Sequence, residues 1–349
     1  MAPLAAAYSG PPKFTIARAF TEWRVDVPSL VLVVAVAVWY LASVQKAKKG
    51  GGQWAFGRTF SFIVLGLGFW AIATMAWPGV YESALFYARS TQTVLLTLVA
   101  PMFLAMGKPI TLLIETSPRI GRPVGRAIRS RAAKIATFPA ITTLALVAVP
   151  MSMYFTSWYL HFFYSGTVRE FTYLILMVPG LVFFWTLLRV DPVPKEYPYG
   201  VAMWITAAEV VGDAFFGIAI IADQTILAAG HYHAFGYPFG PDLATSQVLG
   251  GGIIWILGDA VGLPFLGVQL IQMMRQDKKE AAQIDAELDA RDAVREAARA
   301  AKAAAAADGE TFADAAGPLA AELSAADDEE RPWWESDPRL ADRFKRPQG

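Results

Sequence analysis

The chain has 349 residues, of which 55% are hydrophobic and only 17% are charged, and its formal net charge is zero. It contains no cysteine, which excludes disulfides, thiolate metal sites and thiol nucleophiles. The apolar residues are concentrated in long uninterrupted runs, and this pattern excludes an ordinary water-soluble fold.

Seven such runs occur along the chain. In order they cover residues 27–44, 60–77, 93–114, 135–155, 171–190, 199–222 and 248–274. Each is near the about 20 residues that an α-helix needs to cross a bilayer core of about 30 Å. Aromatic residues gather near the run ends, where lipid headgroups lie. The pattern predicts an all-α, polytopic membrane protein in which residues 27–274 form a bundle of seven transmembrane helices.

Positive charge in the connecting segments alternates from one side to the other. The segments rich in Lys and Arg are residues 45–59, 115–134 and 275–279, whereas the segments near neutrality are residues 78–92, 156–170 and 223–247. The positive-inside bias makes the basic side cytoplasmic. An odd number of crossings then places the N-terminal segment, residues 1–26, outside and the C-terminus inside.

All three histidines fall in segments predicted to lie outside, and two methionines end the fourth run on the same side. These residues are Met151, Met153, His161, His231 and His233. Thioether sulphur and imidazole are the ligand types that select Cu(I) when thiolates are absent. One hypothesis is therefore a Cu(I) site on the outer surface. The alternatives are that the methionines only pack, and that His231 and His233 are interface residues or a pH-sensitive pair.

Three acids lie deep within apolar runs: Glu209 and Asp213 in the sixth, and Asp259 in the seventh. A charged side chain at bilayer depth costs roughly 2.5–3.5 kcal/mol on insertion scales, so each acid requires an explanation. Glu209 and Asp213 share a helix face, and their repulsion is expected to keep at least one of them protonated. One interpretation is a proton- or cation-binding site that includes Asp259. The other is hydrogen bonding between helices by protonated acids.

Glycines are frequent in the same two runs. They are Gly212 and Gly217 in the sixth and Gly250, Gly251, Gly252, Gly258 and Gly262 in the seventh. Because small residues allow helix backbones to approach closely in lipid, this pattern predicts direct contact between the two helices.

The sequence changes character after the last run. Residues 275–307 are rich in Ala with alternating acidic and basic residues, which favours a solvated cytoplasmic helix. Residues 308–349 begin with a strongly acidic stretch and contain few aliphatic residues, so a disordered tail or a helix that docks on a partner is expected.

Several segments resemble one family of membrane proteins. Residues 95–109 read LLTLVAPMFLAMGKP, and they resemble the third-helix signature of the CtaG-like assembly factors of caa3-type cytochrome c oxidase. Residues 247–277 are similar to the last helix of that family and the segment after it. The fifth helix of the family and the segment that follows it are matched by Phe183-Phe184-Trp185 and Asp191-Pro192. The resemblance spans residues 30–290.

The resemblance implies a multi-pass protein of the bacterial plasma membrane that helps to mature haem-copper oxidases. It implies binding to oxidase subunits within the bilayer and assistance in copper delivery on the extracytoplasmic side, as a chaperone or platform rather than an enzyme. No nucleic-acid partner is expected, and a homodimer is left open. The alternative from the residues is a proton-coupled or cation transporter that uses Glu209, Asp213 and Asp259.

The chain departs from the family in its histidines. Members typically carry histidines at positions that align here with Arg89, Thr93, Arg169, Tyr173 and Asp213. The sequence is therefore similar to divergent, actinobacterial-type members that lack most of these side chains. Copper would have to be held by other residues, such as Met151, Met153 and His161, or the scaffold would serve a changed task.

Overall fold

The structure is a computed structural model that describes residue 8 and residues 10–308. All regular secondary structure in this part of the chain is helical. The helices are α1 (Ile16–Thr21), α2 (Val27–Lys49), α3 (Phe56–Tyr81), α4 (Phe86–Met106), α5 (Pro109–Thr116), α6 (Pro118–Ile128), α7 (Arg131–Ala136), α8 (Pro139–Phe155), α9 (Trp158–Tyr164), α10 (Gly166–Leu188), α11 (Tyr199–Ala222), α12 (Ala229–Phe235) and α13 (Leu243–Asp308). The acidic tail predicted for residues 308–349 lies, except for its first residue, outside the described residues.

Five of these helices are long and apolar enough to cross a membrane, namely α2, α3, α10, α11 and α13. Two helix pairs pass the same test together but are bent, by 45° between α4 and α5 and by 70° between α8 and α9. By length and composition the chain therefore has five spans, or seven if each bent pair is one. The prediction of an all-α polytopic membrane protein is confirmed, and the side on which each end lies stays a prediction.

The third predicted run contains a bend, and the fourth is followed directly by one. Between α4 and α5 the chain turns at Lys108, whose φ of 54° lies in the left-handed region. Pro109 follows it and disfavours the right-handed helical conformation at the preceding residue, so the helix stops there. Asp191, from the segment after α10, accepts hydrogen bonds from the backbone N–H groups of Ile110 and Thr111 at 3.1 and 2.8 Å. Its carboxylate satisfies donors that the start of α5 would otherwise leave unpaired.

The fourth predicted run ends with α8 at Phe155, but helical structure resumes shortly after it. Residues 156–170 were predicted to be an outer loop, but they form the short helix α9 and the beginning of α10. Trp158 belongs to α9, and its indole N–H donates to the hydroxyl of Thr172 on α10 at 2.8 Å. The aromatic side chains of α9 are thereby packed against the bundle.

The seventh run is part of a longer helix. α13 continues without a break from Leu243 to Asp308, so it contains both the apolar run 248–274 and the charged, Ala-rich segment 275–307. Ala, Glu, Lys and Arg are strong helix formers and sustain the helix beyond the apolar sequence. The described residues divide into two units, one that ends at Gln272 and one that begins at Met273, and every contact described below lies within the first.

Two helices contain π-helical segments, Ser61–Leu67 in α3 and Leu95–Val99 in α4. Pro101 follows the second segment and has no N–H to donate to the preceding turn, which accounts for the change in helical geometry there. A Cβ placed on Gly180 of α10 would overlap the freed carbonyl of Thr97. The glycine therefore allows the α10 backbone to approach α4 just beyond the polar residues described next.

Candidate functional site

The most extensive buried polar arrangement lies where α3, α4, α8 and α10 meet the segment before α2. We call it the Glu82 network, and its members are Arg24, Glu82, Arg89, Gln92, Met153 and Tyr173. Sequence reasoning missed Glu82 and Gln92, because both fell in a segment predicted to be a solvated loop. No local signal distinguishes them from ordinary loop residues.

Glu82 is the centre of the network and is only 1% exposed. One carboxylate oxygen accepts a hydrogen bond from Arg24 at 2.6 Å. The other accepts from the amide of Gln92 at 2.8 Å and from the hydroxyl of Tyr173 at 2.7 Å. Arg24 also donates to the Tyr173 oxygen at 3.1 Å. The buried carboxylate thus has a charged partner and two neutral donors, as a charge removed from water requires.

Arg89 is completely buried, and no carboxylate among the described residues forms an ion pair with its guanidinium. It donates to the side-chain oxygen of Gln92, whose amide nitrogen donates in turn to Glu82. A second guanidinium nitrogen donates to the sulphur of Met153 at 2.8 Å. The guanidinium carbon lies 3.8 Å from the centre of the Phe162 ring, a cation–π contact. The positive charge is therefore held by an amide, a thioether and a ring face.

A second set of charges adjoins the network. Asp26 lies 3.9 Å from both Arg24 and Arg169, and Arg169 lies 3.4 Å from Glu170. Ser29 donates to Glu170 at 3.4 Å. Together with Glu82 and Arg89, this makes three arginines and three acids. These paired charges connect the segment before α2 with α3, α4 and α10.

The positions that align with family histidines are distributed over this region. Arg89 and Tyr173 belong to the Glu82 network, and Arg169 to the adjoining charges. Thr93, one turn after Arg89 on α4, shares a hydrogen bond of 3.0 Å with the hydroxyl of Tyr154. Asp213 lies elsewhere, against α13. Four of the five positions thus lie in this region, as one pair on α4 and one pair on α10, and one of them, Arg89, carries a buried positive charge that would repel a bound cation.

The two methionines proposed as copper ligands have different surroundings. Met153 is completely buried, and its sulphur accepts the hydrogen bond from Arg89 described above. Met151 is partly buried and packs against the hydrophobic core. A cation bound to the sulphur of Met153 would therefore compete with a guanidinium already in contact with it.

The three histidines also have different surroundings. His161 is exposed, and its Nδ1 hydrogen-bonds with the carbonyl of Ser157 at 2.7 Å. His231 is buried, and its Nε2 hydrogen-bonds with the carbonyl of Ser83 at 3.0 Å. His233 is exposed. Among the described residues, no three His, Asp or Glu side chains are grouped so that they could hold a metal ion. The five-residue Cu(I) site stays a prediction.

The three membrane-embedded acids are brought together by the contact between α11 and α13. Glu209 and Asp213 interact with each other, and both lie within electrostatic reach of Asp259. Gly258 of α13 lies directly against the carboxyl group of Asp213, and Gly262 lies against that of Glu209. The acids are thus one group at a helix–helix contact, and their role as a proton- or cation-binding site stays a prediction.

These features define a helical, multi-pass membrane protein whose spans are joined by buried polar contacts. The model of the cytochrome c oxidase caa3 assembly factor family (Caa3_CtaG) matches residues 38–276, and the chain belongs to that family. The resemblance seen in residues 95–109 and 247–277 is confirmed. Membership and the apolar helices together identify a multi-pass protein of the bacterial plasma membrane.

Similar proteins occur in mycobacteria. The chain is 29% identical over 288 residues to uncharacterized proteins of Mycobacterium bovis and Mycobacterium tuberculosis, and 25% identical over 288 residues to one of Mycobacterium leprae. Each alignment covers 80% of this chain and 43% of the relative. The chain therefore spans less than half the length of these curated relatives. No solved structure matches it significantly.

Proposed function

We propose that this chain is an assembly or accessory factor for a haem-copper cytochrome c oxidase, and that it acts by contact with oxidase subunits in the bilayer rather than by catalysis. The observation that carries the proposal is the family match, which extends over residues 38–276 and so includes most of the membrane-spanning helices. The Glu82 network supports a scaffold role, because both oxygens of its central carboxylate are occupied by Arg24, Gln92 and Tyr173.

An apolar groove between α8 and α11 supports a subunit-binding surface. Its volume is about 720 Å³, and its lining includes Leu144, Val147, Val201, Trp204, Ala208 and Gly212. Trp204 is 80% exposed at its edge. Gly212 is already packed against Val147 of α8, whereas the exposed Ala208 is a small residue at which a further helix could approach closely in lipid. A transmembrane helix of an oxidase subunit is the occupant that family membership favours.

The assembly role is tested in a strain that lacks this protein. We expect less assembled oxidase, measured by haem absorbance in membranes and by cytochrome c oxidation, and recovery when the wild-type chain is restored. Normal oxidase levels in the deficient strain would contradict the proposal.

The groove is tested in the same strain with Ala208→Trp, which would fill it. The matched control is Ala35→Trp, at an exposed alanine on α2. At equal protein levels, Ala35→Trp is expected to restore the oxidase and Ala208→Trp to restore less of it. Full recovery with both variants would exclude the groove as the binding surface without affecting the assembly role.

Copper delivery is the finer part of the proposal, with Cu(I) as cargo. Because Arg89 holds the sulphur of Met153, copper binding there would require the guanidinium to move away. The test is the amount of Cu(I) retained per chain under reducing conditions, compared with Met151→Leu/Met153→Leu. Lower retention in the double variant supports these ligands, and equal retention removes both methionines from the site.

Proton-coupled or cation transport is the second candidate. The observation that favours it is the grouping of Glu209, Asp213 and Asp259 at one helix contact. Flux that depends on a pH gradient, in liposomes containing the purified chain, would support it. Equal flux in empty liposomes would exclude it.

A further inference from the structure

α11 and α13 run antiparallel and meet in a series of contacts between small and polar residues. The facing pairs are Thr206 with Gln269, Glu209 with Gly262, Asp213 with Gly258, and Gly217 with Gly251. A Cβ on Gly262 would lie 3.1 Å from a Glu209 oxygen, and one on Gly258 would overlap an Asp213 oxygen. Glycine is therefore present on α13 where α11 carries an acid, and the two carboxyl groups occupy the space that side chains would otherwise fill.

Within the part of the chain that the structure describes, no basic side chain forms an ion pair with these carboxyl groups. Glu209 is 2% exposed and Asp213 is 7% exposed. The charged groups that act on Glu209 are Asp213 and Asp259, both acidic. No ion pair among the described residues includes any of the three. From α8, the neighbour at this level is the apolar side chain of Val147, against Gly212.

Three ionised carboxylates inside a bilayer would be strongly unfavourable, both through desolvation and through mutual repulsion. Neutralisation therefore requires protons or a bound cation. The three acids are not grouped as the ligands of a metal ion would be. Protons can neutralise the carboxylates without such a grouping of ligands.

The hydrogen bonding distinguishes a binding site from a purely structural contact. Protonated acids that only join two helices would use their oxygens on partners across the interface. Here one oxygen each of Glu209, Asp213 and Asp259 is buried without a hydrogen-bond partner, and so is the side-chain nitrogen of Gln269. These unpartnered polar atoms lie along the contact between α11 and α13. Of the three acids, Asp259 is only partly buried.

We propose that Glu209, Asp213 and Asp259 form a proton-binding site within the membrane-spanning helices, and that its protons exchange with water. On binding, a proton from hydronium forms an O–H bond to a carboxylate oxygen, which neutralises one negative charge and leaves water. Release to water is the reverse. Asp259, the least buried member, passes the proton between the surroundings and the Glu209–Asp213 pair. This inference does not depend on the assembly role.

The test is infrared spectroscopy of the full chain in lipid, in the region where protonated carboxyl groups absorb. At neutral pH we expect a carboxyl band that is lost in Asp213→Asn or Glu209→Gln, shifts in D2O, and disappears reversibly as pH rises. Glu115→Gln, at an exposed acid on α5, is the matched control and should leave the band unchanged.

Two results would overturn the proposal. If no band is assigned to these acids at neutral pH, they are ionised and a cation neutralises them. If the band is present but neither shifts in D2O nor changes with pH, the protons are permanent and the acids only join the helices. Any one variant that folds, with Asp259→Asn as a third choice, assigns the band to this group, and exchange and titration are then followed in the wild type. Neither result bears on oxidase assembly, which is measured separately.

Discussion

Glu82 shows how one side chain can join several helices. Its two carboxylate oxygens accept hydrogen bonds from Arg24 before α2, Gln92 on α4 and Tyr173 on α10. Within a protein interior, removing one member of a buried ion pair leaves the other charge without compensation, and the cost exceeds the net value of the pair itself. Removing Glu82 is therefore expected to cost more stability than its interactions contribute on balance.

Replacing Glu82 by Gln keeps the shape of the side chain and removes its charge. Because Arg24 and Arg89 would lose their nearest compensating carboxylate, we expect destabilisation of about 3–5 kcal/mol. The measurement is thermal unfolding in detergent, followed by tryptophan fluorescence. Glu115→Gln, at an exposed position, is the control and should leave the unfolding temperature unchanged. Equal unfolding temperatures for both variants would show that the network contributes little to stability.

His231 provides a pH-dependent test outside the membrane-spanning helices. Its ring stacks on Phe163 with 3.7 Å between ring centres, and burial lowers its pKa despite an opposing hydrogen bond to the Ser83 carbonyl. The folded state thus favours the neutral ring relative to the unfolded chain, whose histidine pKa is about 6.5. The resulting stability is present above about pH 6.5 and is lost as pH falls through the folded pKa.

Acidification from about pH 7.5 to about pH 5.5 should therefore lower the unfolding temperature more in the wild type than in His231→Gln, which cannot take up the proton. His161→Gln, at an exposed histidine, should retain the wild-type pH dependence. An identical response of wild type and His231→Gln would show that His231 remains neutral, or is charged at no cost, over this range.

At the level of helices, the contact between α11 and α13 was predicted from their glycines and is confirmed. A Cβ placed on Gly251 would lie 2.7 Å from the Gly217 carbonyl oxygen, whereas one on Gly252 would have no atom within 4 Å. The sequence could predict the contact because small residues recur on both helices. It could not distinguish the two neighbouring glycines, because which one faces α11 depends on the rotation of α13.

This difference leads to a paired prediction. Gly251→Ala should destabilise the protein by about 1–3 kcal/mol, because the added methyl group overlaps the backbone of α11. Gly252→Ala adds the same atom in open space and should be neutral or stabilising by up to about 1 kcal/mol, through the helix propensity of Ala. Thermal unfolding of the two variants decides the matter, and a similar loss in both would contradict the packing described for α13.

At the scale of the whole molecule, the positive-inside bias predicts on which side of the membrane each connecting segment lies. The natural absence of cysteine allows single-cysteine variants to test this directly. Gln224→Cys, exposed in a segment predicted to lie outside, should react with a membrane-impermeant thiol reagent in intact cells. Ala132→Cys, exposed on α7 in a basic segment, should react only after the cells are opened. The reverse pattern would invert the predicted topology.

The sequence by itself determined the class, the apolar spans and the family, because membrane insertion depends on the apolar length of each segment and the family signature is a local sequence pattern. It also singled out Glu209, Asp213 and Asp259, since an acid in an apolar run stands out locally. Only the tertiary structure decided that Glu82 and Arg89 are buried together and that the sulphur of Met153 faces a guanidinium. Those contacts join residues from different helices, and their formation depends on which helices are neighbours and how each is rotated.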